Sequence, residues 1–163
     1  MNKLISILAT LATCAAAHGA EPVLSAAAYG QVSFGDRIEA VEERLGEQAP
    51  PITDTDEEQC RQIEFKAYPG VHFMVERGRV TRAASSRAIR TSIGLTVGAS
   101  MSNVRRALPA AAVQAHPYVE GGHYLILKSP DGKTALLMEE AQDTVTAVRG
   151  GLLPSVQYVE GCL

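Results

Sequence analysis

The sequence predicts an α+β fold of two related units, each a helix packed on an antiparallel β-meander. Residues 32–46 (VSFGDRIEAVEERLG) and residues 95–109 (LTVGASMSNVRRALP) align at a constant offset of 63 positions. In both copies a glycine precedes apolar residues at the first, fourth and eighth positions of a helix, which places them on one helical face. Alternating apolar runs separated by turn residues follow each predicted helix and indicate antiparallel strands.

The first unit spans residues 21–83. A strand over 29–34 leads into a helix with Asp36 as N-cap and Gly46 at its left-handed C-terminal end. Strands are then expected at 63–67, 71–76 and 80–83, with a tight turn at residues 77–78. The acidic run 54–58 lacks the ligand spacing of a calcium-binding EF-hand, so it is interpreted as a solvated loop.

Residues 84–92 form the predicted linker, and residues 93–163 form the second unit with a C-terminal tail. Its strands are expected at 93–97, 124–128, 134–139 and 145–149, and its helix begins at the N-cap Ser100. Residues 110–120 are expected to be an irregular connector, and 156–159 a short extended segment. The motif Tyr-Val-Glu-Gly at 118–121 recurs at 158–161, which indicates two similar edge turns or a coincidence.

The first twenty residues are typical of a secretory signal peptide. Lys3 is their only charge, residues 4–12 are apolar, and small residues crowd the end of the segment. The stretch is too short and too rich in alanine for a good membrane span. We therefore expect a periplasmic or secreted protein without a transmembrane segment. A lipoprotein with Cys14 lipidated is the alternative.

Net charge and cysteine content narrow the possible partners and predict a cross-link. Loss of Lys3 with the signal peptide changes the formal net charge from −3 to about −4. This mild acidity favours neither nucleic acid nor an anionic membrane as a partner. Cys60 and Cys162 remain in the mature chain, and two cysteines in an oxidising compartment predict a disulfide bond.

The chain offers little that is typical of an enzyme. A small periplasmic hydrolase with a site around His116, Glu120 and His123 is a further alternative, although the spacing of the histidines matches no zinc-ligand pattern. No Gly-x-Ser-x-Gly nucleophile elbow occurs in the sequence. We predict no catalytic residues, no metal site and no cofactor.

Arginine and tyrosine supply the candidate binding residues. Arginine can bind carboxylates or sulfated sugars through two parallel hydrogen bonds, and exposed tyrosine anchors protein interfaces or stacks on sugars. The sequence therefore predicts a non-catalytic protein that binds another periplasmic or cell-envelope protein, with a carbohydrate-binding, lectin-like module as the alternative. The candidate partner-binding residues are Arg79, Arg82, Tyr68, Tyr118, Tyr124 and Tyr158.

The repeated unit of glycine, amphipathic helix and meander resembles the units of the β-lactamase-inhibitor-protein-like superfamily. That superfamily includes the small lipoprotein of the outer-membrane β-barrel assembly machine. The resemblance covers most of residues 29–149 and implies an exported bacterial protein of the binding or inhibitor type, which acts by binding other proteins and not by catalysis. The segments FMVERGRV and LPSVQYVEGCL are also similar to a group of small Gram-negative periplasmic proteins. No residues match an inhibitory loop, so the resemblance carries over no specific target.

Overall fold

The computed structural model describes residues 21–52 and 59–162. The predicted signal peptide, including Cys14, lies outside the described residues, as does the acidic run 54–58. Within the described ranges, no helix is long and apolar enough to cross a membrane.

The described chain is built mainly of β-strands. Two helices, α1 (Ile38–Leu45) and α2 (Met101–Ala107), and one 3₁₀ turn (Ser155–Gln157) accompany them. The strands are β1 (Val23–Leu24), β2 (Ala28–Tyr29), β3 (Val32–Ser33), β4 (Cys60–Ile63), β5 (His72–Glu76), β6 (Arg79–Ser85), β7 (Arg90–Thr91), β8 (Ala112–Ala115), β9 (His123–Lys128), β10 (Thr134–Ala141) and β11 (Thr144–Leu152).

The predicted α+β class, with a helix layered on each meander, is therefore wrong. The helices have only eight and seven residues, and each has two buried side chains. The described strands instead form two sheets. Four of these strands have two residues each, too few to show the alternation from which a strand is predicted.

One continuous antiparallel sheet contains both predicted meanders. Its seven strands lie in the order β4-β5-β6-β11-β10-β9-β8, so the meanders meet where β6 pairs with β11. A second sheet has the order β3-β2-β1-β7, in which β1 and β7 are parallel. Residues 84–92, the predicted linker, contain the end of β6 and all of β7.

The repeat seen in the sequence is also present in the backbone hydrogen bonds. Gly35 N–H donates to the carbonyl of Val80, and Gly98 N–H donates to the carbonyl of Val145. Each glycine thus ties the start of a helix to the hairpin that follows in the chain. Two more pairs of bonds correspond in the same way. Val80 N–H donates to the carbonyl of Asp36, as Val145 N–H does to that of Ala99. Ile38 N–H donates to the carbonyl of Gly78, as Met101 N–H does to that of Asp143.

Several local predictions need correction. Residues 93–97 form turns and irregular backbone instead of a strand, and Gly94 has a φ of +73°. The predicted connector 110–120 contains β8, and the predicted extended segment 156–159 begins in the 3₁₀ turn. Helix α1 has Arg37 as its N-cap residue without a side-chain cap, whereas Ser100 caps α2 as predicted.

The two faces of the seven-stranded sheet are covered differently. The main core lies on one face, where Phe73 and Met138 pack with the buried side chains of both helices and of the small sheet. On the other face a smaller cluster contains Tyr124, Leu137 and Val156. This second face is the one that carries the candidate site.

Candidate functional site

The C-terminal strap, defined as residues 153–162, crosses the second face of the large sheet. Its 3₁₀ turn contacts β6, β10 and β11. Val156 is fully buried there, together with Ile126 and Leu137 of the sheet, and Leu153 and Val159 pack against the same cluster. Apolar burial therefore fixes the middle of the strap.

A disulfide fixes the end of the strap. Cys60 on β4 and Cys162 are bonded, with their Cα atoms 5.4 Å apart, as the sequence predicted. The bond joins residues 102 positions apart and holds the strap to the edge of the sheet. Gly161 also lies close to the sheet: a Cβ at this position would overlap the amide nitrogen of the Gln62 side chain on β4.

Two arginines of the sheet hold the strap backbone. Arg82 on β6 and Arg149 on β11 both donate to the carbonyl oxygen of Tyr158, at 2.8 and 3.2 Å. The Ser155 hydroxyl of the strap donates in turn to the Glu76 carboxylate on β5. Polar side chains under the strap therefore satisfy its backbone groups, as buried polar groups require.

Arg82 is 4% exposed and is part of this support, so it is not a surface ligand. Burial, together with the neighbouring Arg149 cation, lowers the pKa of its guanidinium to about 10, while Glu76 opposes the shift. The Arg82 guanidinium therefore supports the strap although its burial disfavours the charged form.

A second polar group lies beside the strap. Glu139 accepts a hydrogen bond from Arg149 at 2.6 Å and lies 3.2 Å from His116 Nε2. His116 Nδ1 accepts the backbone N–H groups of Tyr118 and Val119, both at 3.0 Å, so the ring proton resides on Nε2. The imidazole therefore shapes the turn at 116–119 and orients the tyrosine that follows it.

An open groove of about 400 Å³ lies next to the disulfide. Its volume is within the range of about 300–1,000 Å³ that is usual for ligand sites. Tyr118 and Tyr158 line it and remain 68% and 41% exposed. Glu160 is the only charged residue among the described lining residues. The groove therefore combines two exposed aromatic rings with one carboxylate.

A hydrogen bond organises the groove. The Tyr118 hydroxyl donates to Glu160 Oε1 at 2.6 Å and so joins the 116–122 turn to the strap. This bond to the carboxylate is the main cause that raises the pKa of the Tyr118 hydroxyl above its ordinary value of 10.0, with the charge of Glu160 acting in the same direction.

The repeated Tyr-Val-Glu-Gly motif is the sequence signal that coincides with this groove. Tyr118 comes from its first occurrence, whereas Tyr158, Glu160 and Gly161 come from its second. The glycines at the two motif ends, Gly121 and Gly161, have φ values of +71° and +80°. Two similar turns therefore meet at one place, although Glu160 was not among the predicted site residues.

Only two of the six predicted binding residues, Tyr118 and Tyr158, line the groove. Tyr68 is buried in the main core against Tyr29, with its hydroxyl accepting the Gln31 N–H. Tyr124 is buried beneath the strap beside His116. Arg79 is exposed, but its guanidinium donates to the Gly35 carbonyl at 2.7 Å and does not line the groove.

The histidines of the hydrolase alternative bond to different carboxylates. His116 lies against Glu139, and His123 Nδ1 lies 2.8 Å from Glu140, while Glu120 is exposed. In residues 21–52 and 59–162, no group of three or more His, Cys, Asp or Glu side chains could hold a metal ion.

No protein-family model, curated protein or solved structure matches the chain. The groove and its surroundings are therefore the basis for a functional assignment.

Proposed function

We propose that this chain is an exported, non-catalytic binding protein whose protein partner occupies the groove of Tyr118, Tyr158 and Glu160. The supporting observation is the exposure of two tyrosines in an open groove beside a disulfide that fixes the strap. Rigid aromatic side chains bury a large area at little entropic cost, which is why tyrosine is frequent among residues that dominate binding energy. The resemblance to protein-binding exported families fits this proposal.

The charge of the groove indicates the chemistry of the partner. Glu160 lines the groove together with two aromatic rings, and no cation lines the groove among the described residues. A carboxylate in a groove with exposed aromatic rings favours a positively charged group, which can gain both an ion pair and a cation–π contact. We therefore expect the partner to insert an arginine or lysine side chain.

Affinity capture from a periplasmic extract of the producing bacterium tests the proposal. The oxidised mature protein should retain one envelope protein in stoichiometric amount, and the variant Tyr118→Ala/Tyr158→Ala should lose it. Ile52→Ala is the matched control, because Ile52 is also a large exposed apolar residue, 48% accessible, but lies outside the groove. Equal capture by the double variant and the control, with both correctly folded, would contradict the proposal.

A carbohydrate is the second candidate ligand, because the Tyr118 ring stands exposed beside the Glu160 carboxylate, a combination that can stack on a sugar and accept its hydroxyl groups. A glycan array should then show a binder that Tyr118→Ala abolishes. An array without any binder would remove this candidate.

A further inference from the structure

Strand β8 is an edge of the large sheet with a free row of backbone groups. It pairs only with β9, in the register Ala112 with Ile126 and Gln114 with Tyr124. His116 N–H donates to the carbonyl of Gly122 in the same register. Hydrogen-bonded pairs alternate along an antiparallel ladder, so the backbone groups of residues 116, 114 and 112 point toward β9. The N–H and C=O groups of Val113 and Ala115 therefore point away from the sheet.

β8 has none of the features that usually protect an edge strand. It carries no charge, proline or bulge, all four residues are exposed, and Val113 is 47% accessible. The opposite edge, β4, is different, because it holds the disulfide and Arg61, whose guanidinium donates to the Pro50 carbonyl. Only one of the two edges of the described large sheet is thus open to another strand.

The surroundings of β8 fit a second copy of the same chain. Antiparallel pairing of two identical strands about a twofold axis places the beginning of one strand against the end of the other. Exposed Arg105 and Arg106 precede β8, and exposed Glu120 follows it. In the twofold arrangement, the strand end that follows the two arginines in one copy lies against the strand end that precedes Glu120 in the other, so the charges that flank the strand are complementary in sign.

We propose that β8 pairs antiparallel with β8 of a second copy, joining the two large sheets into one. The outward groups of Val113 pair with those of Ala115 in the other copy, which places the two Gln114 residues opposite each other on the axis. One pairing uses the open edge of both copies, so the assembly closes as a dimer. The pairing of β8 does not depend on the proposed function.

Sedimentation of the oxidised mature protein over a range of concentrations tests the dimer. Val113→Lys places two additional cations at the interface, and we expect at least a roughly tenfold rise in the dimer dissociation constant. Ile52→Lys is the matched control, because Ile52 has nearly the same exposure, 48%, and should leave the constant unchanged. A monomer at all concentrations, or an equal effect of both variants, would overturn the proposal.

The register has its own test. In a non-hydrogen-bonded antiparallel pair the Cα atoms are about 4.5 Å apart, which a disulfide can bridge. The variant Gln114→Cys should therefore give a dimer cross-linked through the two introduced thiols, identified by non-reducing mass spectrometry, whereas the exposed control Gln31→Cys should not. Equal cross-linking by both variants would contradict the pairing. Hydrogen exchange gives a further check. If the β8 amides were protected only when another protein is added, that protein would be the occupant of the edge and the dimer would be overturned.

Discussion

The two copies at residues 32–46 and 95–109 make the same backbone hydrogen bonds, but different structures are added to each. In the first copy, β4 beside β5 is the edge of the sheet. In the second, the corresponding strand β9 is covered by the additional strand β8, and β11 continues into the C-terminal strap. The shared part builds the scaffold, whereas β8 and the exposed groove residues Tyr118, Tyr158 and Glu160 lie in the parts that the copies do not share.

The largest expected effect comes from releasing the strap. Cys60→Ser/Cys162→Ser should lower the free energy of unfolding by about 4–5 kcal/mol, because the disulfide restricts a loop of about 100 residues in the unfolded chain. Urea denaturation of the variant and of the oxidised parent measures the difference. The reduced parent protein is the control and should match the variant. A loss below about 1 kcal/mol would show that the unshared strap depends little on this bond.

A matched pair of core substitutions tests whether the copies are equivalent in energy. Val41 and Val104 occupy the same repeat position and are both fully buried. We expect Val41→Ala and Val104→Ala to lower the free energy of unfolding by about 2 kcal/mol each, through lost burial and a small cavity. Denaturation that showed a large cost for one and none for the other would break the equivalence of the copies.

The helix caps should distinguish the copies by a smaller amount. The Ser100 hydroxyl accepts the Asn103 N–H, whereas Arg37 at the corresponding position makes no side-chain cap. Ser100→Ala should therefore cost about 1 kcal/mol of stability, and Arg37→Ala should cost about 0.3 kcal/mol or less. Thermal denaturation of both variants measures the difference, and equal losses would contradict the cap assignment.

The smallest effect concerns protonation in the groove. Glu160 raises the pKa of Tyr118, so the folded state retains the hydroxyl proton more strongly than the unfolded state does. This contribution to stability is fully present below about pH 10 and is lost as the pH rises through the folded-state pKa. Glu160→Gln should lower the pKa of Tyr118 in a tyrosinate absorbance titration. An unchanged titration would show that the hydroxyl and the carboxylate do not interact.

Sequence patterns predicted the parts of this fold that rest on local periodicity. The offset of 63 residues reappears in the hydrogen bonds of Gly35 and Gly98, and the strands β5, β9, β10 and β11 lie close to their predicted positions. The predicted fold class was wrong because apolar periodicity identifies a helix but does not show how small a share of the fold the two helices form. Strand β8 was missed because Ala-Val-Gln-Ala is short and half alanine, which has low β-propensity.

The site was less accessible to prediction, because its members are distant in sequence. Tyr118 and Glu160 are 42 residues apart and meet only because the strap folds back across the sheet. Tyrosine and arginine were selected by residue type, and type alone does not separate exposed Tyr118 from buried Tyr68 or Arg82. The recurrence of Tyr-Val-Glu-Gly was the one local signal that pointed to both sides of the groove.

A photo-cross-linking scan in cells that make the protein tests the central claim that partner binding belongs to the parts that the copies do not share. A photoreactive residue would replace Tyr118 or Tyr158 in the groove, and Glu39 or Ser102 at equivalent exposed positions of the two helices. We predict a cross-link to the same envelope protein from positions 118 and 158, and none from positions 39 and 102. Cross-links from 39 and 102 with none from the groove would place the binding surface on the repeated scaffold and contradict the account.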